Sequence, residues 1–299
     1  MLAGGGAGIG IFGPAVPEAE AATAAVVNVA VASGASPSDN VRKAIAALGG
    51  IKAFIGRGDV VVLKPNIGWD RTPEQAANTN PEVVVALAEL CLSAGAKQVR
   101  VFDRTCNDPR RCYVNSGIQA AVEAFGKKQG ASDIVRVYHV EDRKFRRTAI
   151  PGAFALKEWD LYQDALEADK IVNVPIAKHH SLATATLGLK NMMGVMGGNR
   201  GQIHYNLSEC LADLHRRMPT SLTVIDATRV LLRNGPSGGN LADVQAQGKV
   251  FASADVVAAD VVAAERVFKW KVKDVAHIQK ALEAKIGVTS PAQIRVVEA

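Results

Sequence analysis

Short runs of β-branched residues alternate along the chain with longer amphipathic stretches. This alternation is typical of βαβ units, in which helices cover a largely parallel sheet. The pattern predicts strands at residues 26–32, 59–64, 98–103, 134–139, 170–175, 221–226, 249–253 and 293–297. It predicts helices at residues 37–48, 80–94, 114–128, 182–193, 207–217, 256–267 and 275–285. The expected fold class is therefore α/β, with a mostly parallel sheet flanked by helices and a ligand cleft at the carboxyl ends of the strands.

Polar residues follow four of the predicted strands. These ends are Lys64 to Asn66, Asp103, the run Lys178-His179-His180, and Asp226. The carboxyl ends of parallel strands lie along one edge of an open sheet, where ligands bind. A single polar strand end is usually only a contact with solvent, but four of them followed by long loops indicate a shared cleft.

The stretch from residue 173 to residue 205 carries the densest set of potential cations. They are Lys178, His179, His180, Lys190, Arg200 and His204. Several glycines lie among them, and glycine beside a cation allows the backbone to approach an anionic group closely. With a helix at 182–193, Thr186 and Lys190 would share one helix face. The stretch has no Walker A, GxGxxG or HExxH spacing, so it matches no standard phosphate or zinc template.

Composition narrows the class of protein. The 299 residues are 48% hydrophobic and 21% charged, which excludes disordered and collagen-like chains. A formal net charge of +6 favours anionic partners without naming them. We do not expect nucleic-acid binding, because the basic residues form no long stripe and aromatic residues make up only 5% of the chain.

The four cysteines restrict the cofactor chemistry. No pair of them has the C-x-x-C spacing of a zinc ribbon or a ferredoxin-type cluster. Cys106 and Cys112 are close enough along one predicted loop to form a disulfide in an oxidising compartment, and free thiols are an equal alternative. The chain itself therefore names no cofactor.

The first 24 residues differ from the rest of the chain. An apolar run rich in glycine and alanine occupies residues 1–12, and residues 19–22 read Ala-Glu-Ala-Ala, a small-residue cleavage site. The run resembles the weakly hydrophobic core of a twin-arginine signal, although the positive segment is missing. We expect residues 1–24 to be a leader remnant and residues 25–299 to form the α/β domain, with two sub-lobes as an open alternative.

This interpretation predicts a periplasmic or exported protein. If Met1 is the true start, the alternative is a cytoplasmic protein with a disordered leader. The apolar run is shorter than the roughly 20 residues needed to cross a bilayer, and no later stretch is long enough. We therefore expect no integral membrane segment.

Several motifs occur in an order that resembles one known family. They are Lys64-Pro65-Asn66, DRTCNDPRRCYVNSG at residues 103–117, NVPIAKHH at 173–180, LGLKNMMG at 187–194 and VIDAT at 224–228. From about residue 26 to residue 267 the chain resembles the domain of unknown function 362 family, which has no general assigned reaction. Many members carry ferredoxin-like clusters or twin-arginine signals, so the resemblance implies a redox or cell-envelope setting. This chain resembles the exported, cluster-free form.

The residues support a protein that binds, and acts on, an anionic small molecule or an anionic cofactor. The candidate anion-binding residues are Lys64, Asn66, Ser116, Lys178, Lys190, Asn191 and Arg200. The candidate catalytic residues are His179, His180 and His204 as general acid or base, with Asp103 or Asp226 to orient a histidine. Proton transfer and hydrolysis are both compatible with this set.

Two alternatives stay open. The three histidines with Asp103 or Asp226 have the ligand types of a nitrogen and oxygen metal site, although neighbouring lysines would repel a cation. A non-catalytic envelope accessory protein, which helps a redox or iron-sulfur partner to mature, would use the same charged pocket. Its partner would then be a redox protein.

Overall fold

The computed structural model describes Met1 and residues 25–299. The leader remnant expected at residues 1–24 lies, apart from Met1, outside the described residues. The predicted α/β class is confirmed, since the described chain forms a mixed and mostly parallel sheet flanked by helices. No helix within the described ranges combines the length and the apolar character needed to cross a membrane.

The strands follow the predicted β-branched runs and add several shorter pieces. They are β1 (Val27–Ser33), β2 (Val60–Pro65), β3 (Gln98–Val101), β4 (Val135–Val137), β5 (Phe145–Ala149), β6 (Glu158–Tyr162), β7 (Lys170–Val174), β8 (Ile176–His180), β9 (Thr184–Thr186), β10 (Leu222–Leu231), β11 (Val244–Ser253) and β12 (Ile294–Glu298).

The helices begin and end near the expected residues in most cases. They are α1 (Pro37–Ala47), α2 (Pro81–Ser93), α3 (Pro109–Asn115), α4 (Ile118–Lys128), α5 (Gln163–Leu166), α6 (Gly188–Asn191), α7 (Leu207–Arg217), α8 (Val256–Phe268) and α9 (Ala276–Glu283). Asn80 caps α2 by accepting from the Glu82 backbone N–H at 3.0 Å, and Pro81 occupies the first helical position.

The main sheet has the strand order β12-β1-β11-β10-β7-β2-β3-β4 among the described residues. Strands β7, β2, β3 and β4 are parallel neighbours, and β8 pairs in parallel with β10 and antiparallel with β9. Lys64 near the end of β2 is in register with Asn173 on β7. The carboxyl ends of β2, β3 and β7 therefore meet at one edge, as the sequence predicts.

Alternate residues of the central strands supply the two sides of the core. Val61 and Leu63 face the layer formed by α1, α2 and α4, whereas Val62 faces the layer that contains α7. Phe251 faces a third cluster, built on α8 and α9. Both faces of the sheet are thus covered, so polar groups on its strands need partners within the protein.

One predicted helix is wrong. Residues 182–193 form a turn, the strand β9 and the short helix α6, followed by a 3₁₀ helix at Met192–Val195. The β-branched Thr184 and Thr186 suit a strand, and Gly188 disfavours a longer helix. Thr186 and Lys190 therefore do not share a helix face, although both line the same cavity.

Candidate functional site

A cavity of about 320 Å³ is lined by the loops that follow β2 and β3 and by the β8–β9 hairpin. Eight residues selected from the sequence line it: Asn66, Asp103, Lys178, His180, Lys190, Asn191, Arg200 and His204. Asp103 is the only carboxylate among the described residues that line this cavity, and Arg104 adds a further cation. The cavity is therefore strongly cationic.

A larger cavity of about 560 Å³ lies beside the edge strand β4. Its lining carries both signs of charge, from Arg100, Arg136, Lys144, Glu123, Glu141 and Asp164. Lys144 and Asp164 already pair with each other at 3.1 Å. None of the residues selected from the sequence lines it, and its charges balance, so we place the candidate site in the smaller cationic cavity.

A buried ion pair forms one wall of the site. The Nζ of Lys64 lies 2.8 Å from an oxygen of Asp103, and both side chains are almost fully buried. The other oxygen of Asp103 accepts from the Ile67 backbone N–H at 2.7 Å. Burial lowers the pKa of Lys64, and the nearby Asp103 opposes that shift. Asp103 is therefore neutralised within the protein and does not balance the other cations.

Gly194 lies directly against this ion pair. A Cβ atom at position 194 would collide with Asp103 and with the end of the Lys64 side chain. The Gly194 carbonyl also accepts from the Arg104 backbone N–H at 3.0 Å. Only glycine fits here without displacing a buried charge.

Amide side chains connect β2, β7 and α6 below the cavity. Asn191 donates to the Lys64 carbonyl at 2.9 Å and to Asn173 at 2.8 Å, and it accepts from Asn66 at 3.0 Å. Asn173 in turn donates to the Gly188 carbonyl at 2.8 Å. Fully paired buried amides hold their neighbours in one arrangement. Asn66 and Asn191 thus position the lysines and need not contact a ligand themselves.

Two more lysines are buried in the cavity wall. Lys178 donates to the Ala77 carbonyl at 2.5 Å and to Asn66 at 3.2 Å. Lys190 makes one contact, from Nζ to the sulfur of Met193 at 2.9 Å. Burial lowers the pKa of Lys178 to about 7 and that of Lys190 to about 8. Neither lysine has a carboxylate partner within the described residues.

Two histidines line the cavity with opposite hydrogen-bonding roles. The Nδ1 of His180 accepts from the backbone N–H groups of Leu182 and Ala183 at 3.1 and 3.2 Å, so its proton is on Nε2. The Nδ1 of His204 lies 2.9 Å from the Gly201 carbonyl and donates to it, which leaves a lone pair on Nε2. The rings stack with centroids 5.8 Å apart.

Both histidines are held in the neutral form. Burial lowers the pKa of His180 to about 3. Burial also lowers the pKa of His204, and the Gly201 contact only partly offsets this effect. The Nε2 of His204 is buried and has no hydrogen-bond partner in the part of the chain that the structure describes. At neutral pH the cavity therefore contains one imidazole donor and one unpaired imidazole base.

Arg200 and Arg104 connect residues 193–200 to the loop after β3 by hydrogen bonds. Arg200 donates to the Met193 carbonyl at 3.1 Å and to the Thr105 carbonyl at 2.9 Å. Arg104 donates to the Met196 and Gly198 carbonyls at 3.0 and 2.8 Å. Arg200 also donates to the Cys106 sulfur at 3.3 Å. Neither guanidinium group has a carboxylate partner among the described residues, so their positive charge remains available at the cavity.

Four of the selected residues are not among those that line the cavity: Lys64, which contacts it only through its pair with Asp103, and three that lie elsewhere. Asp226 is fully buried and accepts from the Asn80 backbone N–H at 2.8 Å, so it supports the start of α2. Ser116 is buried and donates to the Tyr113 carbonyl at 3.2 Å. His179 accepts from the Gly235 backbone N–H at 3.2 Å. Successive strand residues point to opposite faces, so Lys178 and His180 line the cavity while His179 between them does not.

Sequence reasoning missed several residues of the site. The ring of Trp69 lies 5.9 Å from the Lys178 Nζ, and Arg104, Asn173 and Gly194 have the roles described above. Asn173 carried a signal, since an asparagine inside an apolar strand needs a buried partner. Trp69 carried none, because its loop has no periodic pattern.

The cysteines and the expected metal ligands do not form a cluster in the described residues. Cys106 is exposed at the cavity and Cys112 is buried, and both are free thiols in the structure. Within the described residues no group of three or more His, Cys, Asp or Glu side chains could hold a metal ion. His179 and Asp226, two of the suggested ligands, lie away from the cavity lining.

The fold and the site together define an α/β protein with a cation-lined cavity at the carboxyl edge of its sheet. The family model described as "Domain of unknown function (DUF362)" matches residues 61–265. The chain therefore belongs to the DUF362 family, which confirms the resemblance seen in its motifs.

Among curated proteins, the chain is similar to the thylakoid-associated protein sll1697 of Synechocystis sp. The two are 29% identical over 231 residues, which are 75% of this chain and 67% of the relative. Among solved structures, it is similar to the lactate racemase apoprotein of Thermoanaerobacterium thermosaccharolyticum, with 11% identity and a TM-score of 0.44. That match covers 78% of this chain and 55% of the racemase.

A second solved structure, of a Thermotoga maritima protein, has 12% identity and a TM-score of 0.36. It covers 74% of this chain and 56% of the other. The chain thus spans little more than half the length of the solved structures that it matches.

Proposed function

We propose that this protein binds a small organic anion in the cationic cavity and moves a proton on it. The observation that carries the proposal is the charge of the lining. Lys178, Lys190, Arg104 and Arg200 surround a space in which Asp103, the one carboxylate among the described lining residues, is already paired. Buried charges without a counter-charge are costly, so an incoming carboxylate or phosphate gains charge-assisted hydrogen bonds on binding.

The two histidines supply the proton chemistry. His204 Nε2 is a neutral base without a partner, and His180 presents an Nε2–H donor beside it. His204 would accept a proton from the bound anion, and His180 would donate a hydrogen bond to an oxygen on which charge develops. The neighbouring cations stabilise that negative charge, which is greater after deprotonation than before.

Anion binding is tested by thermal unfolding at constant ionic strength. Inorganic phosphate, pyruvate and L-malate are titrated separately, with sodium chloride as the reference salt. At a fixed concentration, an anion that binds more tightly raises the unfolding temperature more, with a logarithmic dependence on its affinity. Lys190→Met should weaken binding about 10- to 100-fold, because it removes a charge-assisted hydrogen bond.

The matched control is Lys43→Met, which removes the same charge from the exposed face of α1. It should leave the anion titration unchanged. If no anion stabilises the wild-type protein beyond chloride, the binding proposal fails. If both variants weaken binding equally, net charge and not the cavity is responsible.

Proton transfer is tested by solvent exchange. The protein is incubated in D₂O with pyruvate or L-malate, and loss of the carbon-bound proton next to the carbonyl or carboxylate is followed by NMR. Exchange should be lost in His204→Gln while anion binding persists. Anion binding without exchange in the wild-type protein would favour a carrier or accessory role over an enzyme.

A further inference from the structure

Three buried lysines lie in or next to the cavity wall, and they differ in the groups that contact their Nζ atoms. Lys64 pairs with Asp103 at 2.8 Å and also donates to the Pro65 carbonyl at 2.6 Å. Lys178 has two oxygen acceptors and faces the Trp69 ring. Lys190 has neither an anion nor an oxygen acceptor in the described residues, only the Met193 sulfur. The three lysines therefore differ in how readily each can supply an uncharged amine.

The surroundings of Lys190 make its uncharged amine more accessible near neutral pH than that of an exposed lysine. Only 8% of the residue is exposed, and a thioether is a weak acceptor for a buried ammonium group. Burial of this amine is energetically unfavourable while it is charged and much less unfavourable once it is neutral. Consistent with this geometry, burial lowers the pKa of Lys190 to about 8; Cys106 opposes this shift and the charge of Arg200 adds to it.

The short helix α6 holds Lys190 at the cavity wall. Both oxygens of Asp260 accept from the first two backbone N–H groups of α6, at 2.6 and 2.8 Å. The Nε2 of His215 lies 3.1 Å from the Leu189 carbonyl. Asn191 is fixed by the amide network described above. The backbone on either side of Lys190 is thus anchored, while its Nζ has no oxygen acceptor.

We propose that Lys190 forms an imine with the carbonyl carbon of a small 2-oxo acid bound in this cavity. The inference rests on the proposed function, because the cationic lining must first bind the carboxylate of that acid. A 2-oxo acid fits both features, since its carboxylate is an anion for Lys178 and Arg200 and its adjacent carbonyl is an electrophile for a neutral amine.

The step balances without any other reactant. The Lys190 nitrogen bonds to the carbonyl carbon, the C=O π electrons move to oxygen, and proton transfer from nitrogen to oxygen gives a carbinolamine. The hydroxyl then takes up the remaining nitrogen proton, the carbon–oxygen bond breaks, the oxygen leaves as water, and the nitrogen electron pair forms the C=N bond. His204 Nε2 can take the nitrogen proton, and the His180 Nε2–H can stabilise the leaving oxygen.

The experiment is borohydride trapping on the full chain. The protein is incubated with pyruvate at pH 7.5, reduced with sodium cyanoborohydride, digested and mapped by mass spectrometry. At this pH the free-amine fraction of Lys190 should be on the order of a hundredfold above that of an exposed lysine with a pKa near 10.4. We expect the reduced pyruvate adduct on Lys190, with at least tenfold less on the exposed Lys43, a preference that this amine fraction allows.

Three controls separate the site from general lysine reactivity. Lys190→Arg keeps a cation but cannot form an imine under these conditions, so its adduct should disappear while thermal unfolding stays cooperative. Acetone, a neutral ketone of similar size, should label Lys190 far less than pyruvate does. Inorganic phosphate should compete with pyruvate for the wild-type site, which gives a readout that needs no variant.

The outcomes distinguish the two proposals. Stabilisation by pyruvate without an adduct overturns the covalent role of Lys190 and leaves the anion site intact. Absence of both overturns both proposals. An adduct on Lys178, or one spread evenly over exposed lysines, overturns the assignment to Lys190. An adduct on Lys190 that phosphate prevents and that Lys190→Arg lacks supports it.

Discussion

The cavity and the β5–β6 hairpin both carry many charged side chains, but these side chains differ in burial and in pairing. On the hairpin, Arg147 pairs with Glu158 at 2.7 Å, and just before β5 Arg143 pairs with Glu141, with all four side chains exposed. In the cavity, Lys178 and Lys190 are buried, and neither pairs with a carboxylate of the described residues. Exposed pairs are screened by water and contribute little, whereas buried unpaired cations raise the energy of the empty site. The cavity charges thus favour ligand binding, and the hairpin charges form a solvated surface.

The largest expected effect comes from breaking the buried ion pair. Asp103→Asn leaves the Lys64 ammonium without its counter-charge, so we expect a loss of about 3–5 kcal/mol in the free energy of unfolding. Urea unfolding followed by circular dichroism measures it. A loss below about 1 kcal/mol would mean that this pair behaves like the exposed pairs of the hairpin.

The next effect concerns two buried histidines, of which His215 contacts the Leu189 carbonyl next to Lys190. His277 and His215 are buried, and burial lowers their pKa values to about 3 and about 4, against about 6.5 when unfolded. As the pH falls below 6.5, these histidines bind protons in the unfolded chain but remain neutral in the folded protein. Each histidine should therefore lower stability by about 1.4 kcal/mol per pH unit, down to its folded pKa.

Urea unfolding between pH 8 and pH 4 measures this slope. His277→Phe should flatten it while changing stability at pH 8 much less, because His277 is neutral there. An unchanged slope in this variant would show that His277 does not resist protonation in the folded protein.

A smaller effect is expected in the pH dependence of anion binding. The ammonium forms of Lys178 and Lys190 attract the anion, and their pKa values are about 7 and about 8. Sulfate affinity should therefore fall as the pH rises from 6 to 9, by about tenfold or more once a charge-assisted contact is lost. Calorimetric titration measures this, and sulfate serves as the probe because its charge is constant over the range.

In Lys190→Met the part of this fall centred near pH 8 should be missing. If sulfate affinity in the wild-type protein is constant across the range, the two lysines are not the groups that attract the anion.

The smallest effect is expected on the hairpin. Arg147→Gln removes an exposed charge that pairs with Glu158, so the urea midpoint and the phosphate titration should both stay unchanged. A loss of phosphate binding here would remove the distinction between the two regions.

Residue order along the strands predicted much of the site, for a clear reason. Lys64 and Asp103 lie at or just after the ends of parallel neighbours, so their convergence follows from sheet topology alone. Asp226 fails the same reasoning, because β10 continues to Leu231 and places Asp226 within the strand, where it holds the start of α2. A polar residue after an apolar run marks a strand end only when the strand stops there.

The sequence by itself determined the α/β class, the family and the group of cations between residues 173 and 205. These depend on local periodicity and on motif order, which a linear chain contains in full. Only the tertiary structure decided which cations keep an uncompensated charge. Partners distant in sequence decide this for two lysines: Asp103, just after the neighbouring strand β3, pairs with Lys64, and the Asn66 side chain and the Ala77 carbonyl accept from Lys178. Lys190 contacts only the nearby Met193 thioether among the described residues. Burial and pairing are properties of the folded packing, and they set the chemistry of each amine.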